Sequence, residues 1–180
     1  NAKIVNATGG IAIGNLAQIS NQYKDYGLAL GYQANSNENY AIALGGKSNA
    51  MEVSSLALGY NSKSTNKSAV AVGANTTASG AQTIAIGESS IASGSQSIST
   101  GFKSQALGPN SYAFGTSAVA MGGQAIALGN GANADSNNGT TNNGQAIAIG
   151  ANAYAHSQDS ATGGNTAIAI GRNAYAELSS

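Results

Sequence analysis

One pentapeptide, AIALG at residues 41–45, recurs from end to end of this 180-residue chain and limits its fold more than any other feature. Aligned on its last residue, it sets glycines at Gly14, Gly31, Gly45, Gly59, Gly73, Gly87, Gly101, Gly115, Gly129, Gly150 and Gly171, with steps of 14 residues from Gly31 to Gly129. A fixed period of this kind means a solenoid, in which each repeat is one coil that buries its apolar face only by stacking on its neighbours.

Ile, Leu and Val dominate the positions three and one before each glycine, and alanine stands between them in every coil but one, where Ser99 takes its place. Large and small residues therefore alternate with the period of a strand, and β-branched residues are common. A second strand follows each glycine, with small residues at the third and fifth positions (Ser62 and Ser64, Thr76 and Ala78, Ala132 and Ala134) and a mostly polar residue between them. Its pattern is small-in, polar-out. Further glycines seven residues after the first, at Gly80, Gly94, Gly108 and Gly122, with Asn66 in the same place, predict a second corner in left-handed backbone. Two strands and two turns per repeat make a two-sheet β-roll of about eleven coils.

The two strands differ in one respect that bears on assembly. The second shows a polar face to water, whereas the first has almost no polar residue on either side, and a strand apolar on both faces is buried on both. One face fills the roll; the other needs a cover from outside the chain. The sequence thus predicts an oligomer packed through the AIALG sheet, without setting the number of subunits. The expectation is that Ile, Leu and Val fill the interior. The small column, Ala29, Ala43, Ala57, Ala71, Ala85, Ala127, Ala148 and Ala169, would then form the contact between chains, with the reverse arrangement as the alternative.

Composition removes several function classes. Seven basic and seven acidic side chains leave no net charge and no basic stripe, so nucleic acid is not an expected partner. The chain has no cysteine, which excludes a disulfide framework or thiolate metal site and suits export through an oxidising compartment. No apolar run reaches the roughly 18–20 residues that span a bilayer. Beginning and ending beside repeats, the chain is expected to be a segment of a longer protein, with any membrane anchor outside it.

Taken in order, residues 1–9 are a lead-in and 10–180 the roll. The first interval is 17 residues long, with its excess expected in Ser20–Tyr26. Thr100, Tyr112 and Phe114 stand where aliphatics are expected and predict irregular packing between Ser97 and Gly115. The last two intervals are 21 residues, with insertions at 135–144 and 156–165 in the same place in successive coils, predicting one shoulder. Loops on a rigid scaffold are where recognition is commonly found.

The AIALG, AVAVG, TIAIG and AIAIG units, each followed by two turn residues and a small-x-small strand, resemble the head repeats of trimeric autotransporter adhesins, the YadA-like head family. The resemblance covers about residues 10–176. It implies a left-handed parallel β-roll, trimeric about an axis beside the inner strands and held out from a bacterial outer membrane, whose exposed head binds host extracellular matrix or cell-surface molecules. A spacer that projects another adhesive domain is the alternative expectation.

Asp135, His156 and Glu177 each lie six residues after their glycine in successive coils, so register stacks them about 5 Å apart along one edge. A histidine between carboxylates has the ligand types of a divalent metal site, and a solvated turn ladder is the plainer reading. No metal or cofactor is expected. Tyr154 and Tyr175, four residues after their glycines, are candidates for an aromatic contact with a ligand, joined by Asp135, His156 and the insertion residues Asn142 and Asp159. Tyr32, Tyr60 and Phe102 hold the first turn position and read as corner covers. Lys47, Lys63, Lys67 and Lys103, interspersed with Glu38, Glu52 and Glu88, read as a mixed solvated surface. With one histidine and no cysteine, no nucleophile, base and orienting group assemble into a set, so the chain is not expected to be an enzyme.

Overall fold

The computed structural model describes residues 1–4, 8–19, 26–136, 145–157 and 166–178. Every regular element among them is a β-strand, and the fold is an all-β parallel solenoid without a helix. The chain divides into two compact units, Asn1–Ser89 and Ser90–Ser180.

In the first unit the repeated pentapeptides supply Ile11–Ile13, Leu28–Leu30, Ile42–Leu44, Leu56–Leu58, Val70–Val72 and Ile84–Ile86, which form one sheet. The strands that flank the other side of each coil, Lys3–Ile4, Gln18–Ile19, Asn35–Ser36, Asn49–Ala50, Lys63–Ser64 and Thr77–Ala78, form the second. The second unit repeats the scheme, with Ile98–Thr100, Tyr112–Phe114, Ile126–Leu128, Gln145–Ile149 and Thr166–Ile170 in one sheet. Ile91–Ala92, Gln105–Ala106, Val119–Ala120, Asn133–Asp135, Tyr154–Ser157 and Tyr175–Leu178 lie in the other. Equivalent residues pair in parallel register, so Ala43 lies between Ala29 and Ala57. The 21-residue interval keeps that register, with Ala127 on Ala148 and Ala148 on Ala169.

The inside and outside of the pentapeptide sheet are the reverse of the first expectation. Ala29, Ala43, Ala57, Ala71, Ala85, Ala127 and Ala148 are 0% exposed, and Ala169 is buried with them, so this column is the interior of the roll and offers no surface to another chain. The flanking Ile, Leu and Val side chains point outward and remain half-buried to exposed. The reason is width. Each coil is two strands closed by two tight turns, and both walls of the gap carry small residues: Ala41, Ser55, Ala69 and Thr83 on one side, Ala17, Ser48, Ser62 and Thr76 on the other. Interiors pack at crystal-like density, and a gap this narrow is filled mostly by methyls and hydroxyls; Ile19, buried opposite Gly27, is the exception. The small-in expectation for the second strand describes the whole interior.

Several of the core hydroxyls answer corner carbonyls, whereas those of Ser90, Ser111, Ser136 and Ser157 are buried without a hydrogen bond. Ser48 Oγ donates to the Gly45 carbonyl at 2.8 Å, Ser36 Oγ to that of Ala41 at 2.8 Å, and Ser64 Oγ to that of Ala69 at 2.6 Å. Ser99, the exception in the alanine column, sits 2.7 Å from the Ser104 hydroxyl inside the same coil. Each such bond contributes about 0.5–1.5 kcal/mol, and an unmatched buried hydroxyl would cost more.

Both corners use left-handed backbone. After each pentapeptide glycine the second residue is left-handed, as in Lys47 (φ 59°) and Asn61 (φ 53°). Gly45 itself has φ 127°, and a Cβ on it would stand 2.6 Å from the Gly59 carbonyl oxygen of the next coil. Torsion and contact together exclude every other residue there. At the second corner the left-handed residue is not the expected glycine. It lies two positions later, at Tyr40, Ser54, Ser68, Gln82, Gln96, Asn110 and Gln124. Gly94 and Gly108 answer a different constraint, since a Cβ on Gly94 would come within 1.9 Å of the Gly108 carbonyl oxygen.

The expected irregularity between Ser97 and Gly115 is also absent. Ile98–Thr100 pairs residue by residue with Tyr112–Phe114, and that strand with Ile126–Leu128. Thr100, Tyr112 and Phe114 belong to the outward columns, so their shapes do not disturb the core.

Candidate functional site

Register builds the candidate site on the outer strand of the last three coils. Asn133, Tyr154 and Tyr175 pair across neighbouring strands, as do Asp135, His156 and Glu177. Between these columns Ala134 and Ala155 point inward and are fully buried, which anchors each strand and turns its neighbours outward. Alternation along a strand thus places two columns of functional side chains on one face.

The Tyr154 and Tyr175 rings stack with centroids 5.2 Å apart and planes 11° from parallel. The Tyr154 ring also stacks on the His156 imidazole, at 6.3 Å and 15°. His156 Nδ1 lies 3.3 Å from Asp135 Oδ2, and both side chains are mostly buried. The approach lacks hydrogen-bond geometry at Nδ1, which has no other hydrogen-bond partner. The pair is ionic only with the imidazole protonated. The Tyr175 hydroxyl donates to Glu177 Oε2.

These contacts disfavour phenolate formation. Burial raises the Tyr154 pKa, and the charges of Asp135 and Glu177 raise it further. For Tyr175 the hydrogen bond to the Glu177 carboxylate is the main cause of a raised pKa, followed by burial and then the charges of Glu177 and Tyr154. Both rings stay neutral donors across the physiological range.

Four of the six ligand candidates, Tyr154, Tyr175, Asp135 and His156, therefore share one face of this sheet. The other two, Asn142 and Asp159, lie outside the described residues, as does most of both insertions. The Asp135, His156 and Glu177 column does not converge as a ligand set: among the described residues no three His, Cys, Asp or Glu side chains are placed to hold a metal ion. Glu177 is engaged by Tyr175, one step away from the His156 and Asp135 pair. What remains is an aromatic and acidic surface able to accept hydrogen bonds and to contact rings or cations.

The repeats themselves decide the family. The family model for the YadA head domain repeat (2 copies) matches residues 24–48, 53–76, 78–104 and 99–125, which is more than half of the chain. The chain belongs to the YadA head family. No match is found among the curated proteins. Membership carries an adhesin-type, generally non-enzymatic role on a bacterial surface, and it suggests trimeric assembly. The matched segment ends before the two 21-residue coils, so the tyrosine and histidine ladder is an elaboration beyond the matched repeats.

A second surface went unread in the sequence. In the first unit Leu16, Gln18, Gln33 and Asn35 line an open groove of about 250 Å³. Its signal was present in the register, since the fourth position after the glycine carries an amide in both coils, Gln18 and Asn35, beside Leu16 and Gln33 at the second.

Proposed function

We propose that the chain is the head of a trimeric bacterial surface adhesin that attaches the cell to host extracellular matrix or cell-surface molecules without catalysis. The observation that carries the reading is the outward face of the pentapeptide sheet in each unit. Two columns of Ile, Leu and Val stand there half-buried to exposed, on strands whose other face is the closed interior. An uncovered apolar face of this extent marks an association surface. Membership of the YadA head family supports three copies as its cover. The outer sheet, facing away, is then free to meet host molecules.

The ligand surface in this reading is the ladder of Tyr154, Tyr175, Asp135 and His156, with Asn142 and Asp159 on the adjoining insertions. Three copies multiply weak contacts into lasting attachment. The test is binding of residues 1–180, fused to an inert trimeric coiled coil, to immobilised collagens, fibronectin, laminin and mucin, with the bare coiled coil as control. Saturable binding that falls on Tyr154→Ala or Tyr175→Ala supports the head and its surface. Silence across the panel favours a spacer that projects another adhesive domain.

A further inference from the structure

The outer sheet of the second unit carries a patch that a small-in, polar-out pattern does not predict. Its outward positions, the fourth and sixth after each glycine, alternate with Ala92, Ala106, Ala120 and Ala134, all 0% exposed. Ile91 and Val119 hold the fourth position on either side of Gln105, and the strands pair these three in register. Leu107 and Met121 hold the sixth position in successive coils. Leu107 N donates to the Ala120 carbonyl at 2.8 Å and Met121 N to that of Ala134 at 3.0 Å, so the register continues through them. All four apolar side chains are half-buried. In the first unit the same two positions carry amides, hydroxyls and lysine, with Met51 the one apolar side chain among the described residues.

The sixth column changes character within the second unit. After Leu107 and Met121 come Asp135, His156 and Glu177, each one coil on from the last. At about 4.8 Å per coil, Asp135 stands about 10 Å and Glu177 about 19 Å from Leu107. Next to burial, the charges of both acids raise the Tyr154 pKa, so their field covers that ring. Among the described residues of this unit the cations, Lys103 and Arg172, stand apart from the acids, at the corner that precedes the outer strand. Lys103 Nζ is held 5.0 Å from the Phe102 ring centroid at that corner. The His156 imidazole adds a positive charge only when protonated. The end of the outer strand away from that corner therefore passes from apolar to acidic over three coils.

We infer that this face, from Ile91 to Glu177, docks an extended, arginine-bearing segment of a partner polypeptide, with aliphatic side chains on Ile91, Leu107, Val119 and Met121 and guanidinium groups at Asp135 and Glu177. Such docking rests on the proposed function, in which the outer sheet faces away from the other copies. An extended chain advances about 3.3 Å per residue, so about three to six residues separate its apolar side chains from its arginines. A carboxylate has about four lone-pair sites, so the contacts with His156 and Tyr175 leave acceptors for a guanidinium. The planar guanidinium also stacks on aromatic rings, and the Tyr154 and Tyr175 pair stands beside these acids. A polyanion would meet two like charges on the same surface.

The test is binding of residues 1–180 on the trimeric coiled coil to immobilised Leu-Thr-Val-Thr-Arg-Thr-Arg, read by surface plasmon resonance with the bare coiled coil as control. Two counterparts replace either the arginines by glutamates or the leucine and valine by serines. The expected result is saturable binding of the first peptide, about tenfold tighter than of either counterpart. Asp135→Asn with Glu177→Gln is expected to abolish the discrimination against glutamate, and Leu107→Ser with Met121→Ser that against serine, each with an unchanged thermal melt. No saturable binding of the first peptide, equal binding of either counterpart, or an affinity indifferent to either double variant overturns the assignment. Silence of the peptides beside matrix binding that falls on Tyr154→Ala overturns it too, and leaves the adhesive head standing. Selective peptide binding beside silence across the matrix panel keeps the docking surface and removes the matrix ligand.

Discussion

The outward aliphatic columns and the inward alanine column make opposite predictions under substitution. Leu30, Ile42 and Ile86 are 38%, 37% and 41% exposed, so roughly two fifths of each side chain is left for a partner to cover. Full burial of such a side chain is worth about 1.5–3 kcal/mol, and covering the remainder contributes about 0.6–1.2 kcal/mol apiece. Changing all three to serine removes this from every chain of the proposed trimer, a loss of about 5–11 kcal/mol of association free energy. Assembly should then fail at micromolar concentration while each roll stays folded. Sedimentation equilibrium on residues 1–180 reads the result directly, as a fall toward the 17.6 kDa protomer mass. The inward control is Ala57→Leu. It forces a branched side chain into a gap lined by alanine and serine, at a cost of about 1–3 kcal/mol, and lowers the melting temperature rather than the mass. A triple serine variant of unchanged mass, or an Ala57→Leu variant with an unchanged melt, would refute the inside and outside assigned to this sheet.

Other substitutions probe the corners and the ladder. Gly59→Ala places a Cβ 2.5 Å from the Gly73 carbonyl oxygen at φ 130°, and the torsion alone costs about 1–3 kcal/mol. Its urea midpoint should fall, and an unmoved midpoint would show that the coils can separate to admit a methyl. Ser64→Ala deletes the donor to the buried Ala69 carbonyl and should cost about 1 kcal/mol in the same assay. With Tyr154 and Tyr175 raised above the ordinary value of 10, the folded chain holds these protons longer than the unfolded chain. Their contribution is therefore whole below pH 10 and is lost as pH rises through the folded values. Glu177→Gln should bring the Tyr175 titration down toward 10, as followed by phenolate absorbance, and a titration that stays put would exclude the carboxylate as its cause.

Period, strand positions and the first corner were legible because each follows from a rule of spacing. Fourteen residues between glycines dictate the coil, alternation dictates the strand, and stacking of equivalent positions follows without further information. The same spacing predicted that Asp135, His156 and Glu177 would align, and the strands pair them. Which face of the pentapeptide looks inward was harder, because alternation fixes the parity of a strand but not its sign. The usual rule that bulky aliphatics fill cores misleads in a coil this narrow. A better signal was available in the first residue of each pentapeptide, Ala41, Ser55, Ala69 and Thr83, which shares a face with the central alanine and is always small. Four small columns per coil describe an interior, and a branched column can only lie outside it. The second corner misled for a related reason: Gly94 and Gly108 meet a close backbone approach, not a left-handed torsion.

The two 21-residue intervals show how such a scaffold acquires new surface. Each adds seven residues to a 14-residue period, yet Ala127, Ala148 and Ala169 still stack and Asn133 still pairs with Tyr154. The flanking strands are longer here, as in Gln145–Ile149 and Tyr154–Ser157, and the core keeps its register. A position counted from the glycine is thus a fixed address on the surface. Substitution at the fourth or sixth address changes what the outer sheet presents, at little cost to the alanine core behind it. Tyr154 and His156 in one unit and Gln18 and Asn35 in the other occupy such addresses, so one small-residue interior can carry unlike outer surfaces.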